Sequence, residues 1–275
     1  MLRYFCLILI FSNVCHAKQV EWIVLDFPPY YFVASQLNGN GRDESVIQLL
    51  KQHDPEFIHT STIMPASRAV YALNDTSTLR CIVSLYQTEQ RKSFISFSTR
   101  YSTIGLPITV AIRKKTLIDL NIDASNSISL EKILRDESMH VGYTQNRSFG
   151  PEIDAVLAKA HQEQLEARSG TDVLNGLTKM LLKDRLELVL GYASEHYYTK
   201  NVLDADDTLT QLSLSESPNL SMGYIGCSKH TDAEEFLAIS DATLQRLHSQ
   251  APYHKVMLHW LPEELKSRLR PSLEY

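Results

Sequence analysis

From residue 20 onward, apolar runs of strand length alternate with segments of helical pattern, and this order restricts the chain to a sheet with helical crossovers. Val20-Glu21-Trp22-Ile23-Val24-Leu25 reads as a strand, halted by Asp26-Phe27-Pro28-Pro29, where two prolines stop any helix and stiffen the turn. Tyr30-Tyr31-Phe32-Val33 and the flexible tip Asn38-Gly39-Asn40-Gly41 follow. Residues 43–53 then predict a helix whose apolar face is Val46, Ile47, Leu49 and Leu50. Residues 57–64 read as a second strand, and 65–73 as a second helix with Pro65 in its first turn. Strand, helix, strand, helix, strand is the pattern of a parallel sheet.

The third strand opens the stretch 79–101, where pattern and chemistry coincide best. Its apolar run, 81–86, ends in the polar Gln87-Thr88-Glu89-Gln90-Arg91. Phe94, Phe97 and Tyr101 are spaced to pack beneath that loop from a short helical turn. In open α/β sheets ligands bind beyond the carboxyl ends of strands, so Arg91 is placed to hold an anion through two parallel hydrogen bonds. The alternative is a solvated or ion-paired surface arginine.

Residues 104–113 read as one apolar strand, long enough to connect two lobes. A helix at 129–136, a strand at 140–143 and a helix at 151–164 follow. The loop 144–150 between the last two would deliver backbone N–H groups at a helix start, a geometry that binds anions. Further on, 173–183 is helical, 186–192 is a strand ending near Tyr192, and 222–227 returns as a strand. From Thr231 the pattern is helical, with Leu, Phe, Trp and Ile at helical spacing.

The amino terminus bears on compartment. Met-Leu-Arg, an apolar run at 4–11 and the approach Cys15-His16-Ala17 describe a secretory signal with cleavage after Ala17, its apolar run too short to span a bilayer. Cys15 as a lipid-anchor site is the alternative, against which bulky Val14 stands. Cleavage leaves Cys81 and Cys227, an even pair expected to be bridged in an exported chain; two distant buried thiols are the alternative. Neither cysteine has a spaced partner that would make a zinc site, so no metal and no cofactor is expected. With 275 residues, 44% hydrophobic and 21% charged, one large domain or two modest lobes fit. A net charge of -5 without a basic stripe gives no support for nucleic-acid binding.

Taken together these segments resemble the periplasmic solute-binding proteins of family 3, the group that includes polar amino-acid receptors of ABC importers. The likeness rests on Phe27-Pro28-Pro29-Tyr30, Gly41-Arg42-Asp43 before the first helix, and Thr88-Glu89-Gln90-Arg91 with Phe97-Ser98 and Tyr101. Val141-Gly142 and the closing Tyr253-x-x-Val256-x-x-x-Trp260 also fit, and Met64-Pro65-x-x-Arg68 resembles one poorly characterised branch.

The resemblance implies an α/β, two-lobe periplasmic binding protein fold of type II, with parallel-rich sheets flanked by helices and two hinge crossings. Lobe 1 would hold 18–107 plus 228–275, and lobe 2 would hold 108–227. The crossings would lie near 106–110 and at Gly223 to Gly226. In the family the arginine matching Arg91 grips a ligand carboxylate, aided by the loop carrying Thr144, Arg147 and Ser148, while an aromatic residue matching Phe27 or Tyr30 covers the ligand. Tyr86 and Arg68 join the expected site, Arg68 as a second cation facing the cleft. Tyr192 stands where amino-acid receptors carry an Asp for the ligand's ammonium group, and a phenol supplies no such anion. The expected function is capture of a small anionic or carboxylate-bearing solute by a monomeric, periplasmic, non-enzymatic protein serving an ABC permease or sensor ectodomain. The alternative is an enzyme on the same fold, dehydratase-like, for which Glu89, Glu187 and His196 are the nearest acid–base candidates. Of these, Glu187 reads as a core carboxylate and His196 as part of a surface helix.

Overall fold

A computed structural model describes residues 18–33, 36–124, 126–170 and 172–273. The expected signal segment, with Cys15 and Ala17, lies outside the described residues. Among the described residues ten strands form two five-stranded sheets. The strands are β1 (Lys18–Val24), β2 (Phe57–Ile63), β3 (Arg80–Leu85), β4 (Ile95–Gly105), β5 (Ile108–Arg113), β6 (Val141–Thr144), β7 (Leu165–Arg168), β8 (Leu188–Tyr192), β9 (Leu209–Ser213) and β10 (Ser221–Ser228). The first sheet has the order β2-β1-β3-β10-β4 and the second β7-β6-β8-β5-β9.

Within each sheet three strands run parallel, as the alternating pattern requires. β1 pairs parallel with β2 and β3, and β6 with β7 and β8. The sheets are nonetheless mixed, because β10 runs antiparallel to β3 and β4, and β5 antiparallel to β8 and β9. These antiparallel strands are the ones that join the lobes. The stretch expected as a single strand at 104–113 is divided at Leu106-Pro107, where proline lacks the N–H a ladder needs, and β4 passes into β5 of the other lobe. The chain returns between β9 and β10, beside the first crossing: the Ser217 hydroxyl donates to the Ile108 carbonyl at 2.8 Å, and Ser221 pairs opposite Gly105.

This placement corrects the expected return crossing. Gly223 and Gly226 lie inside β10, paired with strands of the first sheet, so the division drawn at 227/228 falls within a first-lobe strand. Their hydrogen side chains serve close packing. A Cβ on Gly223 would meet the Ser84 and Thr103 hydroxyls at 2.3 and 2.5 Å.

The first lobe's core gathers Val20, Trp22, Val83 and Ile225 of the sheet with Val46 and Leu50 of the helix Arg42–Gln52. The carboxyl-terminal helices Ala233–Leu247 and Ala251–Leu258 close it with Phe236, Leu244 and Tyr253. A second cluster of this lobe, Ile23, Ala69, Leu73, Ile82 and Leu85, packs under the short helix Ala66–Ala69 and the 3-10 turn Tyr71–Asn74. That helix is shorter than the 65–73 expected. The second lobe's core holds Ile108, Val110, Val141, Leu188 and Leu190, with Phe149 and Ile153 from the start of the helix Pro151–Lys159. Cys81 and Cys227 stand directly opposite each other on β3 and β10 and are bonded, their Cα atoms 4.1 Å apart. Among the described residues no helix is long and apolar enough to cross a membrane.

Candidate functional site

A cavity of about 130 Å³ lies between the lobes, where the carboxyl end of β3 and the turn after β1 face the loop after β6. At the 10–15 Å³ one water requires, that volume corresponds to a ligand of roughly ten heavy atoms. Of the residues expected at the site, Phe27, Tyr30, Tyr86, Arg91, Thr144, Arg147, Ser148 and Tyr192 all line it. Arg68 does not: its side chain is exposed, and its helix presents Ala66 and Ala69 to the cavity instead.

Local sequence fixes each of these side chains. Thr88 caps a single helical turn, Glu89–Lys92, by accepting from the Arg91 N–H at 3.2 Å. Arg91 therefore turns back over the strand it follows and donates from Nη1 to the Tyr86 carbonyl at 3.0 Å. Phe97 and Tyr101 are not on that turn as expected; they belong to β4, with Tyr101 stacked on His248 at 4.1 Å. At the end of β3, Ile82, Ser84, Leu85 and Tyr86 reach the cavity.

Opposite, the turn after β1 folds Tyr30 and Tyr31 N–H groups onto the Phe27 carbonyl and stacks Phe27 on Tyr30 at 6.2 Å. Glu44, three residues into the next helix region, accepts from the N–H groups of Phe32, Gly39 and Gly41 and so ties down the whole 32–41 loop. Gly41 has no alternative residue, since a Cβ there would sit 2.1 Å from the Tyr30 carbonyl oxygen.

Three arginines line the cavity and they differ in how their charge is met. Arg42, which begins the helix after Gly41, lies 4.1 Å over the Tyr30 ring and donates from Nε to Asp43 at 2.7 Å. Arg147 donates to both oxygens of Glu195 at 3.1 and 2.6 Å, with its guanidinium 4.7 Å from the Phe27 ring and 4.8 Å from that of Tyr192. Among the described residues no carboxylate lies within ion-pairing distance of Arg91, which is half-buried. Burial pulls its pKa below the ordinary arginine value, against the opposing influence of Asp154 and Tyr192. Burial likewise pushes the Asp43 carboxyl up, with Arg42 opposing, and holds the Tyr192 phenol well above its usual range.

The loop 144–148 does meet the cavity, but its helix start already has an anion. Asp154 accepts from the Ser148 hydroxyl at 2.6 Å and from the Phe149 N–H at 2.8 Å. Among the loop residues lining the cavity is Thr144, whose hydroxyl is buried and has no hydrogen-bond partner. A buried hydroxyl left unpaired costs about 1–3 kcal/mol, which a bound polar group would recover.

Sequence reasoning did not single out Glu195, Ser194 or the charge pairing of Arg42. Glu195 is fully buried and also accepts from the Tyr192 N–H at 2.8 Å. The signal was present: a glutamate at the third position of a helix that begins as a strand ends is placed to cap it, as Glu44 does after Gly41. The acid–base candidates lie elsewhere. Glu89 is exposed and pairs with Lys92, and Glu187 pairs with His140 at 3.0 Å. His196 is not on a surface helix as expected, being only 1% exposed, and burial lowers its imidazole to about 4.

Contacts across the cleft hold the lobes together in this structure. The Tyr30 hydroxyl meets Ser194 at 2.9 Å, Arg147 covers Phe27, and Tyr198 packs edge-on against Phe32 and Trp260 at 5.5 and 5.8 Å.

No family model and no curated protein matches the chain by sequence. Solved structures match it over nearly its full length. One, from work on glutathione import in Gram-positive bacteria via GshT and the cystine ABC importer TcyBC of Streptococcus mutans, is 13% identical with a TM-score of 0.67, covering 91% of this chain and 99% of that one. A histidine kinase sensor domain with similarity to periplasmic binding proteins is 16% identical with a TM-score of 0.67, covering 90% and 96%. An amino acid ABC transporter substrate-binding protein from Streptococcus pneumoniae, bound to L-arginine, is 14% identical with a TM-score of 0.63, covering 89% and 93%. At these identities the likeness is one of architecture, and it shows that the chain has the two-lobe, type II periplasmic-binding-protein fold.

Proposed function

We propose that this chain is an exported, periplasmic solute-binding protein that closes its two lobes on a small solute bearing an anionic group and presents it to an ABC permease or a sensor. The observation that carries this reading is Arg91: a half-buried guanidinium in the interlobe cavity, held by a single carbonyl and, among the described residues, matched by no carboxylate in contact. A charge in that state is poorly solvated, and a ligand anion would supply what the protein does not. The kinds of protein sharing the fold, receptors of importers and a sensor domain, support a binding role. The lobes are taken as 18–106 with 221–273, and 108–214, hinged at the two adjacent crossings.

Thermal-shift screening of small carboxylates, amino acids and inorganic anions tests the reading, because a ligand that binds only the folded state raises the melting temperature. A hydrogen-bonded charge contributes roughly 1.5–3 kcal/mol, so Arg91→Ala should weaken binding at least about tenfold. Arg91→Lys should not restore it, since an ammonium lacks the planar fork. Undiminished binding to a folded Arg91→Ala variant would remove the proposed anchor.

A further inference from the structure

We infer that the solute is a monocarboxylate with an apolar body and no ammonium group, a deaminated counterpart of an apolar amino acid rather than the amino acid itself. The inference rests on the anionic-ligand reading above and adds two observations. The first is the state of the acids. Asp43 is the one carboxylate among the described residues lining the cavity; it is 4% exposed and its Oδ1 is bound by Arg42. Glu195, behind Arg147, is fully buried with both oxygens in that pair. Asp154 lies outside the lining, with one oxygen on Ser148 and the other on the Phe149 N–H. The charges of Asp43 and Glu195 are each already met by an arginine, so an ammonium in the cavity would have to share the Asp43 carboxylate with Arg42, and a buried ammonium without an acid of its own loses its hydration uncompensated.

The second observation is the wall on the first-lobe side. Leu25, Ala69, Val70, Ile82 and Leu85 line the cavity and are also members or neighbours of the cluster beneath the helix Ala66–Ala69. On this side the cavity opens onto an apolar core, where a hydrocarbon body would be buried, while the polar lining residues Ser84, Thr103, Gln145 and Asn146 lie elsewhere on its wall. Arg91 takes the carboxylate, and the unpaired Thr144 hydroxyl is available to the same polar end. About ten heavy atoms, the size set by the cavity, suit a branched aliphatic or phenyl-substituted acid.

Calorimetric titration of the full chain with matched pairs tests this: 3-phenylpropanoate against L-phenylalanine, 4-methylpentanoate against L-leucine, and glutarate against L-glutamate. The two apolar acids should each bind at least tenfold tighter than the amino acid of the pair and tighter than glutarate, with loss of binding in Arg91→Ala. An amino acid binding as tightly as its deaminated partner would overturn the inference and leave the anionic-ligand reading standing. So would glutarate outbinding both apolar acids. Silence of all six overturns it too, and the broader reading falls with it only if the wider anion screen is also silent.

Discussion

Glu195→Gln tests the charge arrangement around the cavity most directly. The substitution keeps the shape and an acceptor for the Tyr192 N–H but removes the negative charge, leaving Arg147, 17% exposed at its side chain, enclosed by Phe27 and Tyr192 without a counter-ion. Removing one member of a buried ion pair costs about 3–5 kcal/mol, because the remaining charge has lost its hydration and its partner. For a chain of this size each kcal/mol moves the melting temperature by about 2–4 °C, so a fall of roughly 10 °C is expected. Denaturant unfolding followed by the fluorescence of Trp22 and Trp260 would supply the free energy. Arg147→Met should cost a similar amount by stranding Glu195, and the double variant should be more stable than the sum of the two losses predicts by at least about 2 kcal/mol. Additive losses, or Glu195→Gln within about 1 kcal/mol of the parent, would refute the reasoning.

Replacing both Cys81 and Cys227 by alanine opens a loop spanning 146 positions and should lower stability by roughly 3–5 kcal/mol, read as a lower denaturant midpoint; an unchanged midpoint would show the bond to be dispensable. His196, held near 4 by burial, stays neutral in the folded chain while the unfolded imidazole takes a proton near its ordinary 6.5. Its contribution is therefore complete above pH 6.5 and lost as pH falls toward 4, by about 3 kcal/mol, and His196→Gln should flatten that part of the stability profile. An equally steep profile in the variant would assign the acid sensitivity elsewhere. Tyr30→Phe removes the 2.9 Å hydrogen bond to Ser194 across the cleft, worth about 1 kcal/mol, and should shift the lobes about fivefold toward an open form. A scattering profile identical to that of the parent would argue against closure through this contact.

Strand and helix order were legible in the chain because burial on a sheet and on a helix imposes different periods, and β1, β3, β6 and β8 announced themselves as apolar runs. β7, Leu-Glu-Ala-Arg, and β9, Leu-Thr-Gln-Leu-Ser, did not; they are short edge strands whose backbone pairing owes little to apolar side chains. Local rules also located Arg91, since a strand end followed by a threonine cap fixes where the next arginine points. Local rules could not say which arginines are already neutralised. The pairing of Arg147 with Glu195 joins positions 48 apart, and Arg68, on a helix correctly placed near the cleft, faces outward because Ala66 and Ala69 occupy the inner side. Gly223 and Gly226 likewise looked free to flex until strand pairing filled their surroundings with Ser84, Thr103 and Leu85. Sequence alone determined the order of strands and helices and the position of one cation, because both follow from periods and caps within a few residues, while the two-lobe plan was legible only through the resemblance to a known family. The charge left for a ligand was decided only by the tertiary structure, since it depends on which distant carboxylates packing brings into contact with which arginines.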